Sequence, residues 1–285
     1  MKITAFFKYS VSNLILLISF FSFTQNNFQG KAYYMSKTSI DMNNFGRPGM
    51  SEEQKKQIAE RMKSMFEKTY VLTFNKTESI YKEEEKLEAP GQGQGGRFRG
   101  MMSSFTGGNQ YKNIKEKLLL QDQELFGKQF LIKDSLSPIH WIMGSETKQI
   151  GQYTCFKATA TIADSSFNFT RFRRPSENRT NKQDSTKTKE PKTIDSKKLI
   201  QVEAWYTLQI PISQGPGEYW GLPGLILEVN AGRTTILCSK IVMNPEEKDE
   251  IKKPSKGKEV TQMEYNKILE NKMEEMRENF RRRRR

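Results

Sequence analysis

The stretch EYWGLPGLILEV, residues 218–229, constrains this chain more than any other. Gly221-Leu222-Pro223-Gly224 sets two glycines and a proline among large aromatic and aliphatic neighbours. The run is too apolar for an ordinary surface loop and too broken for a helix. Before it, residues 199–212 read as a strand, with Val202, Ala204 and Tyr206 on one face and Trp205 and Thr207 on the other. Pro211 denies the ladder a donor, and Gly215-Pro216-Gly217 bends the chain. Pro223 then suits the second position of a turn whose third position, Gly224, is free to take φ > 0. Leu225 starts the next strand. The unit predicts a stiff corner between two adjacent strands. Trp205, Tyr219, Trp220, Leu222 and Pro223 are its candidate residues for binding a ligand or partner. The plainer alternative makes Trp220 and Leu222 plugs over one end of a sheet's core.

The rest of the chain supplies that sheet. Residues 30–39 read as a first strand. Ser51 followed by Gln54 is a capping box, and Ile58, Met62, Met65 and Phe66 give the next segment one apolar stripe, so an amphipathic helix is expected there. Residues 70–85 read as a hairpin turning through Asn75-Lys76-Thr77, and further strand pairs are expected over 111–134, 140–164 and 225–245. Helices do not alternate with strands, which disfavours a parallel α/β sheet. The expected class is mainly β (α+β): a curved, half-barrel-like antiparallel sheet in a domain spanning 25–245, with the N-terminal amphipathic helix packed on its concave face. Residues 89–110 are a Gly-rich loop, and 172–198 are a basic insertion too poor in apolar residues to order itself. Residues 246–285 form a charged, helix-prone tail that ends in five arginines, Arg281 to Arg285.

Residues 1–24 carry the marks of a signal peptide: Lys2 and Lys8, then the apolar run 14–23, too short to span a bilayer. An exported protein is expected, periplasmic or at the cell surface, with neither a lipid anchor nor a transmembrane span in the mature chain. The net charge of +14 is concentrated in the basic insertion and the arginine tail. A nucleic-acid domain would spread that charge over one folded face, so an anionic lipid or polysaccharide surface is the better partner for these segments. The two cysteines, Cys155 and Cys238, lie in strand-like runs. They are either a disulfide, which an oxidising compartment allows, or two buried thiols in separate strands. Their spacing makes no metal site, and no cofactor fingerprint is present. His140, the single histidine, stands beside Trp141 and near Asp134, Ser135 and Ser137 without the setting of a nucleophile.

The corner also carries a resemblance. Gly221 to Ile226, with Ala204-Trp205-Tyr206-Thr207, Ile210-Pro211, Gly215-Pro216 and the upstream Tyr153-x-Cys155-x-Lys157-Ala158, resembles the GLPGLI family of exported Gram-negative bacterial proteins. That family has no established activity and transfers no catalytic residue. The resemblance implies a cell-envelope setting, sometimes beside outer-membrane transport systems. The expected function is therefore a non-catalytic binding or accessory protein whose partner is an outer-membrane or envelope protein. One alternative is a lipid or lipoprotein carrier holding an amphiphile in the concave face, because the expected architecture also looks like half-barrel carriers. A hydrolase of unknown type is the second alternative.

Overall fold

The structure is a computed structural model, and it describes residues 28–39, 51–84, 108–163 and 199–282. The signal-peptide segment, nearly all of the Gly-rich loop and the basic insertion lie outside the described residues. Among the described residues, twelve strands form one sheet: β1 (Gly30–Thr38), β2 (Glu67–Phe74), β3 (Glu78–Glu83), β4 (Gln110–Asn113), β5 (Leu118–Leu125), β6 (Lys128–Ser135), β7 (Ile142–Ile150), β8 (Tyr153–Ala163), β9 (Leu199–Thr207), β10 (Leu225–Ala231), β11 (Thr234–Met243) and β12 (Lys258–Val260). The described helices are α1 (Glu52–Phe66) and α2 (Gln262–Arg282). The strand order is β12-β6-β5-β4-β3-β2-β1-β11-β10-β9-β8-β7, so β12 and β7 are the edges. Eleven pairings join these strands; ten are antiparallel, and β12 runs parallel to β6. The sheet is thus mixed rather than purely antiparallel.

Local chemistry sets the hairpins. Asn75 closes the β2–β3 turn, its Oδ1 accepting from the amides of Thr77 at 2.8 Å and Glu78 at 2.7 Å. Phe126 and Gly127 both have positive φ between β5 and β6, as a two-residue turn with the right twist requires. The capping box holds: Ser51 Oγ accepts from the Gln54 amide at 3.3 Å while Gln54 Oε1 accepts from the Ser51 amide at 3.2 Å.

One connection dictates the global shape. β6 and β7 lie ten positions apart in the sheet, which would separate them by about 48 Å if it were flat. Only six residues, 136–141, join them. Such a link reaches no more than about 25 Å. The sheet must therefore curl enough for this short link to join its two ends.

The residues that fill the curl differ from expectation. Register places Gln110, Tyr81, Leu72 and Ala32 on one face. An extra residue in β11, Ser239, shifts its pairing so that Tyr34 opposes Cys238, and the same face continues through Ile236, Val229 and Ala204 to Ala158. At the β5–β6–β12 end this face is covered by α2, whose Tyr265, Ile268, Leu269 and Met273 pack against Leu125, Phe130, Ile132 and Val260. The helix docked on the concave face is thus the C-terminal one. The side chains of Ile58, Met62 and Met65 on α1 lie outside the described set, and α1 runs directly into β2 without a linker. α2 presents an apolar stripe at i, i+3, i+4 and i+8, and a second capping box starts it. There Thr261 Oγ1 accepts from the Glu264 amide at 3.2 Å and Glu264 Oε2 accepts from the Thr261 amide at 2.8 Å. Asp134 on β6 accepts from the Gln262 amide at 2.9 Å and fixes the helix to the sheet.

This docking has a measurable consequence. Leu269 is 2% exposed, so Leu269→Ala is expected to lower unfolding stability in urea by about 2–5 kcal/mol. Met263→Ala on the same helix, at a position 74% exposed, is expected to change it by less than about 0.5 kcal/mol. Equal midpoints for the two variants would show that α2 does not contribute to the fold.

Candidate functional site: the corner between β9 and β10

β9 and β10 are antiparallel neighbours, and residues 208–224 connect them. This connection folds inward over the concave face. Tyr219 and Leu222 pack with Ala158, Val202, Ala204, Tyr206, Ile226 and Val229, and Ile139 and Trp141 of the β6–β7 link join them. Across the curl, Lys112 Nζ on β4 donates to the carbonyls of Gly215 at 2.7 Å and Tyr219 at 3.1 Å. Ser79 on β3 donates to Gln214 Oε1 at 2.8 Å. The hydroxyl of Tyr34 on β1 donates to the Ile226 carbonyl at 2.7 Å. The corner thus touches strands from both halves of the sheet and fills the space between them.

Its backbone is pinned from within as well. The Leu225 amide donates to the Ile210 carbonyl at 2.9 Å and the Ile226 amide to the Gln214 carbonyl at 3.1 Å. Amides of Ile212 and Gln214 each donate to the carbonyl two residues back, at 2.8 Å, in successive tight turns. At the rim two tryptophans interlock: Trp141 Nε1 donates to the Trp220 carbonyl at 2.8 Å, and Trp220 Nε1 donates to the Ser137 carbonyl at 3.2 Å. The glycines divide the geometric work differently from expectation. Positive φ falls on Gly217 at 55° and Gly221 at 95°, not on Gly224. Gly224 is required by close approach, since a Cβ there would stand 1.9 Å from the Thr207 carbonyl oxygen.

The five candidate residues therefore separate. Leu222 is fully buried and Tyr219 is 7% exposed, so both are plugs in the concave face. Trp220 is half-buried at the rim, and Pro223 is exposed. Trp205 belongs to the opposite face of β9. There its Nε1 donates to Glu203 Oε1 at 2.9 Å, and the ammonium groups of Lys148 and Lys157 lie 5.1 Å and 5.7 Å from its ring centroid. Lys157 pairs with Glu203 at 3.0 Å and with Glu146 at 3.1 Å, while Lys148 pairs with Glu228. The hydrogen bond to Lys157 holds the Glu203 carboxyl below its ordinary pKa, and the same bond holds Lys157 above its own. This is a cross-strand ion-pair ladder laid over an indole, and each charge in it already has its partner.

Cys155 and Cys238 are free, buried thiols. They stand on β8 and β11 within one buried cluster, and no bond joins them in this structure. Burial pushes Cys155 up to about 11 and Cys238 up to about 12, far from the reactive thiolate range. His140 is exposed beside the rim, Asp134 is engaged with the start of α2, and Ser137 gives its carbonyl to Trp220. Among the described residues no group of three His, Cys, Asp or Glu side chains could hold a metal ion. No described helix is long and apolar enough to cross a membrane.

Sequence reasoning did not find Lys112. It is 0% exposed, directly opposite Ser79, and burial lowers its pKa to about 7 against a smaller opposing pull from Glu218. A lysine in a short strand after a polar loop gives no sign that it turns inward. The faint signal lay in the corner, where Pro216 offers no N–H and the bent backbone leaves carbonyls to be satisfied.

Two outcomes are expected. Gly224→Ala forces the corner off Thr207 and should cost more than about 2 kcal/mol in denaturant unfolding. Gly232→Ala, with φ of 59° and nothing within 4 Å of the added Cβ, should cost only about 1–2 kcal/mol. For Lys112, the folded pKa of about 7 lies below the unfolded value of about 10.4, so the unfolded chain binds more protons between them. Stability carried by this lysine should rise with pH above about 7, by at most about 1.4 kcal/mol per pH unit, and be flat below. Urea unfolding of the wild type and Lys112→Met from pH 6 to 8.5 checks the sign, because only the wild type should gain relative stability as pH rises.

With this geometry in place, the chain can be set beside known proteins. A family model described as a protein of unknown function, Porph_ging, matches residues 141–228. The matched region runs from Trp141 through β7, β8 and β9 and includes the whole corner. No curated protein matches the chain. Two crystal structures of PNGF-II, in space groups C2 and P21, are similar at 12% identity each, with TM-scores of 0.47 and 0.46. Each alignment covers 85% of this chain, but only 32% and 33% of PNGF-II, so this chain spans about a third of that protein's length.

Proposed function

We propose that this chain is a non-catalytic, exported binding or accessory protein of the cell envelope, associated with an outer-membrane transport system, and that it presents the rim of the 208–224 corner to a protein partner. The observation that carries this reading is the occupied concave face. Tyr219 and Leu222 fill it at one end and Tyr265 and Leu269 at the other, so the space that would favour carriage of an acyl chain is taken by the chain itself. What the corner offers outward is Trp220 and Pro223, on a backbone fixed by at least five hydrogen bonds. Beside Trp141 the β7 edge adds Ile142, 72% exposed, and Met143, 59% exposed. A fixed aromatic next to exposed aliphatics loses little entropy on docking. Export rests on residues 1–24 and on the resemblance to the GLPGLI family, with which the matched family of unknown function does not conflict.

The test is capture from envelope extracts by the full chain, with Trp220→Ala and Ile142→Glu compared against Met263→Ser on α2. The first two variants should lose a partner, an outer-membrane protein, that the wild type and the α2 variant retain. Identical capture by all four would reject the rim as the docking surface.

A further inference from the structure

We propose that the space between the β3–β4 pair and residues 214–219 is a hydration site built into the fold, taking one or two ordered water molecules. Three buried polar atoms there have no hydrogen-bond partner among the described residues: the Tyr81 hydroxyl, Gln110 Oε1 and Gln214 Nε2. Tyr81 is 7% exposed and Gln214 is 0% exposed.

The register sets Tyr81, Gln110 and the Ser79 partner of Gln214 on one block of two strands. Tyr81 and Gln110 face each other across β3 and β4, and so do their neighbours Ser79 and Lys112. Ser79 donates to the Oε1 of the same Gln214 amide, which leaves its Nε2 as the orphan. Lys112 donates to Gly215 and Tyr219, which brings the corner down onto this block. Gln110 Oε1 lies under Gly217, 3.6 Å from where a Cβ would stand. Turning the Gln214 amide over does not remove the problem: Ser79 would then accept from Nε2, and Oε1 would become the unpaired atom.

The chemistry of the three groups selects the occupant. Gln110 Oε1 can only accept, Gln214 Nε2 can only donate, and the Tyr81 hydroxyl can do either. An anion would face the Gln110 oxygen, and a cation would face the Gln214 amide and the Lys112 amine. An apolar molecule would satisfy none of them. Water donates two hydrogen bonds and accepts two, and buried waters typically make about three bonds to groups left unpaired by the protein. Proteins leave few buried polar atoms without a partner, and ordered water is a common answer.

Tyr81→Phe in the full chain tests this by the sign of its effect. The substitution keeps the ring, its stack on Tyr70 at 4.7 Å and its edge contact with Tyr34 at 6.2 Å, and removes only the hydroxyl. If the hydroxyl binds water, Tm should fall by about 2–4 °C. If the site is dry, deleting an orphaned hydroxyl removes its desolvation cost, and Tm should stay level or rise. Gln110→Met gives a second reading. Groups that share a water should be non-additive, so the double variant should lose less than the two single losses together. A crystal structure of the wild type should carry ordered density within hydrogen-bond distance of Tyr81 and Gln110 or Gln214. A level or raised Tm for Tyr81→Phe, or a site without such density, overturns the proposal.

Discussion

Six residues carry the chain from the end of β6 to the start of β7, across ten strand positions. That short tether is incompatible with a flat sheet, and the other large-scale features follow from it. A curled sheet has an inner face with limited area, and the inner side chains must be matched by something that fits between its two halves. Here the filler is the connection between β9 and β10 at one end and α2 at the other. The tether itself takes part, lending Ile139 and Trp141 to the core and the Ser137 carbonyl to the rim. Curvature, core and corner are one solution to one geometric demand.

Filling a sheet's interior with a loop brings backbone polar groups into an apolar space, and each needs a partner. Much of the corner's detail answers that need. Lys112 reaches across to take two carbonyls, a costly choice for a side chain whose charged form prefers water. The lowered pKa records that cost. In exchange the corner is bound to a strand about a hundred residues away in the sequence. The rim tryptophans extend the same logic outward: each indole N–H closes on a backbone carbonyl of the other segment, so two loops behave as one surface.

Much of this was legible in the sequence where the controlling chemistry is local. The capping box at Ser51 and Gln54 and the Asn75 turn depend on residues within a few positions of one another, and they formed as read. The corner's stiffness was legible for the same reason, from its prolines and glycines. What was not legible depends on distant partners. Gly224 reads as a left-handed turn residue, but Thr207, seventeen residues away, is what forbids a side chain there. β12 is three residues long, and its parallel pairing with β6 leaves no period to detect. Both helices show an apolar stripe, and no pattern within either says which one the sheet will bury. Lys112 is the extreme case, a charge whose inward turn only the folded corner explains.

The two edges of the sheet carry a consequence of their own. An unclosed sheet exposes rows of unpaired amides to other chains. On one side the row is short, because β12 offers only three residues before α2 takes over. On the other, β7 loses register with β8 between Met143 and Thr147, and the interrupted stretch carries Glu146, paired to Lys157. An approaching strand could align with either half of β7 but not with both, and it would meet a fixed charge where the two halves part. Neither border of the described sheet therefore offers a long, unbroken row of amides on which one copy after another could add through its backbone.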